Sequence, residues 1–427
     1  MACARGVTSR TAPWLGPAIA LCAIPVAAMA QQVVDTRMEA DTAGSRVRPE
    51  YDQQGVPVGT FLVFPTLGAE ASWNDNIYAR SDIKAADEVL AMRPAIAAKS
   101  QGSRSDLEFQ SQADIERYAH HASEDVVTWS VAGRGRFELG RDTTVATRLQ
   151  FASNIEQRGT TGDTLFGTRP VGYGQITVDL KLDQGFNRTR LTISGRLDRY
   201  RYAPRDLDGT VIDLSYRDHT YLEGKARIAQ AMSPGVAAYV GLELDNNTYA
   251  FYVPQAGQRD STQYAGLVGV AFGLNRLLQG EAAVGYFHRD FRGSLNHPIG
   301  GLDYNLSLAW SPTRMTTISL IADKAYQRAP LLGVAGFEQQ DVSLTVVHEL
   351  RRNLLLRPAL AYSLAQYVDG PFHDRFFSGL FGATWLLSPR WQVEASGSHR
   401  LGRFSDPSIQ PRNFDQNRFS VALTCRF

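Results

Sequence analysis

The side chains of this sequence with the readiest chemistry are eight histidines and three cysteines. The histidines are His120, His121, His219, His288, His297, His348, His373 and His399. A zinc-protease helix needs His-Glu-x-x-His and a calcium loop needs a full Asp-x-Asp-x-Asp-Gly run, and neither occurs. His120-His121 offers two adjacent imidazoles to a transition metal, but two solvated loop side chains are the expected reading. Ser398-His399 sets a nucleophile beside a base in sequence. On a strand, neighbours point to opposite faces, so the pair makes a poor hydrolytic site. The stretch Gly266 to Gly273 has no phosphate-binding helix after it and reads as small wall residues between bulky neighbours. No catalytic, cofactor-binding or metal-ligating residue is expected.

What remains is charge, and it is patterned. Asp106, Glu108, Asp114 and Glu116 share one parity, while Leu107, Phe109 and Ile115 hold the other. Arg134 and Arg136 alternate with Val131, Gly133, Gly135 and Phe137. Arg148 opposes Leu149 and Phe151, and Arg190 and Arg196 oppose Leu191, Ile193 and Leu197. Glu223, Lys225 and Arg227 oppose Leu222, Ala226 and Ile228. Period two is the signature of strands with one apolar and one polar face. If the wall is closed and sits in a bilayer, these twelve charged residues line a polar lumen. Acids on one strand followed by arginines on the next raise the expectation of opposed charge ladders with a field across the pore.

The elements that must hold these residues are long strands. Tight-turn chemistry occurs at 100–103, 139–142, 183–186, 232–235, 274–276, 311–314, 350–353 and 388–390, rich in Gly, Pro, Asn, Asp and Ser. Longer polar connections fall near 79–88, 119–124, 158–169, 203–212, 251–260, 292–300, 328–336, 368–374 and 403–413. Eight short and nine long connections in alternation separate eighteen strands, with sixteen as the alternative count. The expected fold is all-β: a transmembrane antiparallel up-and-down β-barrel with short periplasmic turns and longer extracellular loops. A soluble sandwich or propeller is the rival. Aromatics near strand ends (Tyr200, Tyr202, Tyr216, Tyr249, Phe251, Tyr252, Tyr286, Phe287, Phe372, Phe376, Phe377, Trp385 and Trp391) suggest interfacial girdles. In the last segment Phe419, Val421, Leu423, Cys425 and Phe427 form an apolar face that is expected to carry the assembly signal.

At the other end, Arg5 and Arg10 precede an apolar stretch from Trp14 to Ala27 and a small-residue Ala28-Met29-Ala30 site. Residues 1–30 are expected to be a signal peptide cleaved after Ala30, and 31–57 a flexible periplasmic segment before a barrel over 58–427. Cleavage removes Cys3 and Cys22 and leaves Cys425, so no internal disulfide framework is expected. Formal net charge is +1; without Arg5 and Arg10, 42 basic side chains face 43 acidic ones. That balance argues against nucleic acid as a partner. Lysine occurs only at Lys84, Lys99, Lys181, Lys225 and Lys324. Arginine dominance suits a charged lumen and a lipopolysaccharide-facing rim, and follows equally from GC-rich coding.

Several local patterns carry a resemblance. They are Gly59-Thr60-Phe61, Phe64-Pro65-Thr66-Leu67, Trp73-Asn74-Asp75-Asn76-Ile77-Tyr78, Met92-Arg93-Pro94, Leu356-Arg357-Pro358, Ser388-Pro389-Arg390-Trp391 and the terminal Phe427. With them the chain resembles the outer-membrane β-barrel porin family often encoded beside exopolysaccharide synthesis genes. The likeness covers essentially all of the expected mature chain. It implies an outer-membrane pore-like barrel and brings no catalytic residues or cofactor.

The expected function is a non-enzymatic channel for polar solutes or sugars in the outer membrane of a Gram-negative bacterium. The alternatives are the outer-membrane component of exopolysaccharide or capsule secretion and, last, a membrane-embedded hydrolase. Expected partners are outer-membrane lipid and lipopolysaccharide, the barrel assembly machinery, and periplasmic polysaccharide-export proteins under the secretion reading.

Overall fold

In a computed structural model of the chain, the alternating segments become eighteen long strands. The structure describes residues 42–427 apart from 101, 103–104, 162, 164–168, 208–209, 252–258, 275–276, 294–296, 329–335, 369–371 and 406–411. The expected signal peptide and residues 31–41 lie outside the described residues. The first six strands are β1 Phe61–Asn74, β2 Asp87–Ser100, β3 Ser105–Tyr118, β4 Val126–Glu138, β5 Thr143–Ile155 and β6 Gly172–Phe186. The middle six are β7 Thr189–Tyr202, β8 His219–Ser233, β9 Val236–Tyr249, β10 Ser261–Leu274, β11 Leu278–Phe291 and β12 Ile299–Thr313. The last six are β13 Thr316–Arg328, β14 Gly336–Arg351, β15 Leu354–Tyr367, β16 His373–Leu386, β17 Trp391–Phe404 and β18 Phe414–Arg426.

Each strand pairs antiparallel with its sequence neighbours. β18 then pairs with β1, from Thr66 opposite Arg426 to Asn74 opposite Arg418, and the ring is closed. Closure leaves none of the eighteen strands as a free edge, which a lipid environment demands of any sheet. The strands run 13 to 16 residues. A tilted membrane strand needs only about 9–11, so these project beyond the hydrocarbon at their ends. Register shifts occur at Ala231/Ser233, Trp310/Thr313 and Glu349/Arg351, all beside tight turns, where bulges commonly end pairing. Short turns gather at one end and longer loops at the other, so the loop end is taken as extracellular. Among the described residues no helix is long and apolar enough to cross a membrane.

Burial is inverted relative to a soluble protein. Leu90, Val240 and Phe419 are exposed on the outer wall, whereas Glu70, Asp245 and Arg289 are nearly inaccessible inside. An outer apolar band beside a polar interior is the arrangement of a lipid-embedded barrel.

Two expectations change. First, Tyr200, Tyr202, Tyr249, Phe287 and Phe376 do not join a lipid-facing girdle. Tyr200 and Tyr202 share the parity of Arg196 and Asp198, and Tyr249 packs against buried His219. Phe287 is buried, and Phe376 packs with Ala79, Phe404 and Phe414. Tyr286, Phe377, Trp385 and Trp391 do stand on the outer wall. Phe251 is also exposed. Tyr252 lies outside the described residues.

Second, the described part of the expected flexible lead-in, residues 42–57, is seated against the barrel. Gln53 Nε2 donates to the carbonyls of Pro65 and Phe427, at the β1–β18 seam. Upstream, the Ala43 amide donates to Thr317 Oγ1, and Arg48 pairs with Glu349 at 2.9 Å. The segment thus crosses the short-turn mouth from β1 and β18 to β13 and β14. Gly55 adopts φ +73°, and a Cβ there would meet the Phe64 ring at 2.6 Å, so glycine lets the strap lie flat on that ring.

Candidate functional site: the charged inner wall

The register of ten consecutive strands lines up one row of polar residues. Lys99 lies opposite Glu108, Glu108 opposite Arg134, Arg134 opposite Arg148, and Arg148 opposite Asp179. Asp179 lies opposite Arg196, Arg196 opposite Glu223, Glu223 opposite Asp245, Asp245 opposite Gln263, and Gln263 opposite Arg289. Lys99 stands beside the short-turn end of β2 and Arg289 beside the loop end of β11. The row therefore climbs the inner wall from one mouth toward the other, as strand tilt in a barrel requires.

Cross-strand distances follow the register. Lys99 is 3.5 Å from Glu108, Arg134 is 3.8 Å from Glu108, and Arg148 is 4.0 Å from Asp179. Arg196 reaches Asp179 at 3.6 Å and Asp198 at 2.8 Å. Arg289 closes the row on Asp245 at 2.8 Å and on Gln263 at 2.9 Å. Most links are loose ion pairs in water, which hold orientation more than stability.

Five expected lumen residues stand in this row: Glu108, Arg134, Arg148, Arg196 and Glu223. Lys225 sits between Glu223 and Glu243, 3.1 Å from each. Arg227 binds Glu281 at 2.9 Å. Asp106 lies opposite Arg136, and Arg190 lies opposite Ala229 near the short turns. Asp114 and Glu116 take different partners from the arginines of β4. Arg93 bridges Glu70 at 2.5 Å and Asp114 at 3.0 Å, and Arg418 binds Glu70 at 2.9 Å and approaches Glu116 at 3.9 Å. The sequence reading missed Lys99, Asp179, Asp245, Gln263 and Arg289, although each has the inward parity of its strand.

Two further groups shape the wall. The Tyr239 ring lies over Gly269 on the next strand, where a Cβ would fall within 2.7 Å of two ring carbons and the hydroxyl oxygen. From there its hydroxyl donates to Glu281 at 2.6 Å, and Arg227 stacks on the ring at 3.3 Å. Near the loop end, Tyr173, Tyr200, Tyr202, His219 and Tyr249 form an aromatic arch over β6–β9, with Tyr200 and His219 stacked at 4.6 Å. Arg217 and Arg259 cover the faces of Tyr202 and Tyr249.

The loop mouth is crossed as well. The β5–β6 connection passes over β1–β4 to β17 and β18: Arg412 donates to the Thr160 carbonyl at 2.8 Å, and Gly159 packs under Phe414. Arg158 ties it to Glu124 at 2.7 Å, and Arg217 ties it to the β7–β8 loop through Glu156. The β1–β2 loop is clipped by Asp75. Burial would raise that carboxyl, but N–H donors from the Asn417 backbone and side chain, with Lys84, hold it below the usual carboxylate range.

Among the described residues the histidines build no reactive constellation. Asp87 accepts the His120 and His121 ring nitrogens at 3.1 and 2.8 Å, and also the backbone N–H groups of Glu88, His120 and His121. Asp87, Glu88 and His120 come within reach of one ion. An ion would have to displace donors that already saturate Asp87, so the arrangement acts as a loop clamp. Ser398 faces inward, while His399 Nδ1 lies 2.8 Å from Asn417 Oδ1 on the outer side.

The family model described as "Putative beta-barrel porin 2" matches residues 48–427. The chain belongs to that family. The match begins at Arg48, inside the strap, so residues 48–57 of the strap and the barrel fall within one family match. No curated protein matches the chain. The chain is similar in fold to the siderophore receptor PirA of Acinetobacter baumannii, with 8% identity and a TM-score of 0.45, covering 85% of this chain and 80% of the other. It is similar to the outer membrane protein OpdK of Pseudomonas aeruginosa, with 10% identity and a TM-score of 0.44, covering 86% and 99%. It is also similar to the FrpB iron transporter of Neisseria meningitidis, with 8% identity and a TM-score of 0.45, covering 80% of this chain and 62% of the other. The molecule is a porin-type outer-membrane β-barrel.

Proposed function

We propose that this barrel is a non-enzymatic channel passing polar, hydroxyl-rich solutes such as sugars. The observation that carries this reading is the inner row from Lys99 to Arg289. It holds five cations and four carboxylates, close to neutral, so it offers donors and acceptors side by side without a strong preference for either sign of ion. Hydroxyl groups both donate and accept, and can exchange from one ion pair to the next along such a row.

The arc β4–β7 is richer in arginine, while Asp303, Asp323 and Asp341 gather on β12–β14 across the ring. In the register Asn305, Asp323, Asp341 and Ser363 stand side by side. This separation supports a field transverse to the pore, which orients dipolar solutes over apolar ones. Purified protein reconstituted in liposomes should cause swelling in isotonic neutral sugar. No swelling from heat-modifiable, folded protein would overturn the reading.

A further inference from the structure

We propose that the outer wall over β15–β18 and β1 is a binding site for one lipopolysaccharide molecule, through its lipid A phosphate and an acyl chain. The proposal rests on the outer-membrane reading and not on the solute passed by the lumen.

The first observation is an apolar groove of about 1180 Å³ on the lipid side of the closure seam. Leu360, Phe381, Phe419 and Val421 wall it. Its floor is Gly379, Gly397 and Ala395, where missing side chains make the wall concave. At Gly397 an added Cβ would already press the Phe419 ring at 3.2 Å, so the depth depends on glycine. Phe419 stacks on Trp73 at 6.2 Å and fixes one edge.

The second observation is independent of the groove. Toward the loop end of the same strands, Arg375 and Arg403 stand directly opposite each other on the outer face. Like charges facing across a rung are destabilising. Arg403 is offset by Asp415 at 2.8 Å. The Arg375 side chain is exposed and makes no ion pair or hydrogen bond among the described residues. Leu364 lies on its other side. An anion bridging the two guanidiniums would relieve the repulsion, and a phosphate matches two forks.

The vertical order fits one amphiphile. Descending from the arginine pair, the outer rungs are Phe377 with Leu401, Gly379 with His399, Phe381 with Gly397, and Ala383 with Ala395. Four residues separate Arg375 from Gly379, about 13 Å of strand. The headgroup region adds roughly 5–7 Å on each side of the hydrocarbon. Cations at headgroup level above a groove at acyl level therefore match a phosphorylated lipid of the extracellular leaflet. Because the loops mark this end as extracellular, that lipid is lipopolysaccharide.

The test uses the full chain, purified folded and stripped of lipid. Heat-unfolding midpoints are measured with lipid A, with dephosphorylated lipid A and with phosphatidylglycerol. Lipid A should raise the midpoint of the natural protein, and the other two should raise it little. Arg375→Gln with Arg403→Gln should weaken lipid A binding about tenfold, as loss of a charge-assisted phosphate contact predicts. Gly397→Leu, which keeps the arginines and fills the groove, should also weaken it. An equal shift by dephosphorylated lipid A or by phosphatidylglycerol overturns the proposal, and so does a full shift in the double variant. A dimer that Gly397→Leu makes monomeric, with lipid A binding unchanged, would assign the groove to a second copy. Solute passage failing while lipid A binding holds would count against the channel reading alone.

Discussion

At the scale of single residues, the inner wall depends on which charges are shielded. Arg289 and Asp245 are 4% and 1% exposed at the side chain, 2.8 Å apart. Removing one partner of a buried pair strands the other, at about 3–5 kcal/mol. Arg289→Met should therefore lower the heat-unfolding midpoint on a gel-shift assay more than Arg134→Ala. Arg134 is half exposed, and its ion pair is worth about 0–1 kcal/mol at most. Its influence should appear in ion selectivity instead. Arg134, Arg136 and Arg148 together changed to Ala remove fixed positive charge from one arc. Reversal potentials in a salt gradient should move toward cations, and an unchanged potential in folded protein would deny these arginines a role in permeation. Asp75 offers a pH test. Its folded-state carboxyl lies below the unfolded value, so its clip is in full force above about pH 4 and weakens as pH falls further. Proteolysis of the 75–86 loop should rise below that pH in the natural protein. The rise should be absent in Asp75→Asn.

At the scale of strands, glycine decides where large inner side chains can lie. Tyr239 reaches Glu281, two strands away, because Gly269 leaves the space beneath its ring. Gly269→Val should displace that ring, break the contacts from Arg227 and Tyr239 to Glu281, and cost about 1–3 kcal/mol by overpacking. Tyr239→Phe, which removes only the hydroxyl, should cost about 1 kcal/mol. Equal heat stability of the two variants would show that the ring's position is not set by Gly269.

At the scale of the whole molecule, chain crosses both mouths of the barrel. The strap of residues 42–57 runs under the short-turn end, held by Arg46 and Arg48 on Glu349. The β5–β6 loop crosses the other end, held by Arg158, Arg217 and Arg412. Deleting residues 42–55 while keeping residues 1–41 should leave the eighteen-strand ring assembled. It should also raise single-channel conductance, because the obstructing segment is gone. Unchanged conductance would mean that the strap leaves the pathway clear.

The sequence by itself determined the strands, their faces and the alternation of short and long connections, while the closed ring settled their number at eighteen instead of sixteen. Period-two alternation is local, and each strand records it in its own residues, as Leu107 to Ile115 and Arg190 to Leu197 do. Local parity also assigned the inward charges, and it would have assigned Tyr200 and Tyr202 had it been given precedence over their position near a strand end. Only the tertiary structure decided the partners. Register sets Asp114 and Glu116 opposite Thr128 and Val126 of β4, not its arginines; Asp114 turns to Arg93 on β2, and Glu116 approaches Arg418 because ring closure brings β18 round to β1. The row from Lys99 to Arg289 exists because nine registers agree, and register is a relation between strands that no single strand contains. The two crossings depend on where the loops and the strap come to rest on distant strands, which is set by contacts hundreds of residues apart in sequence.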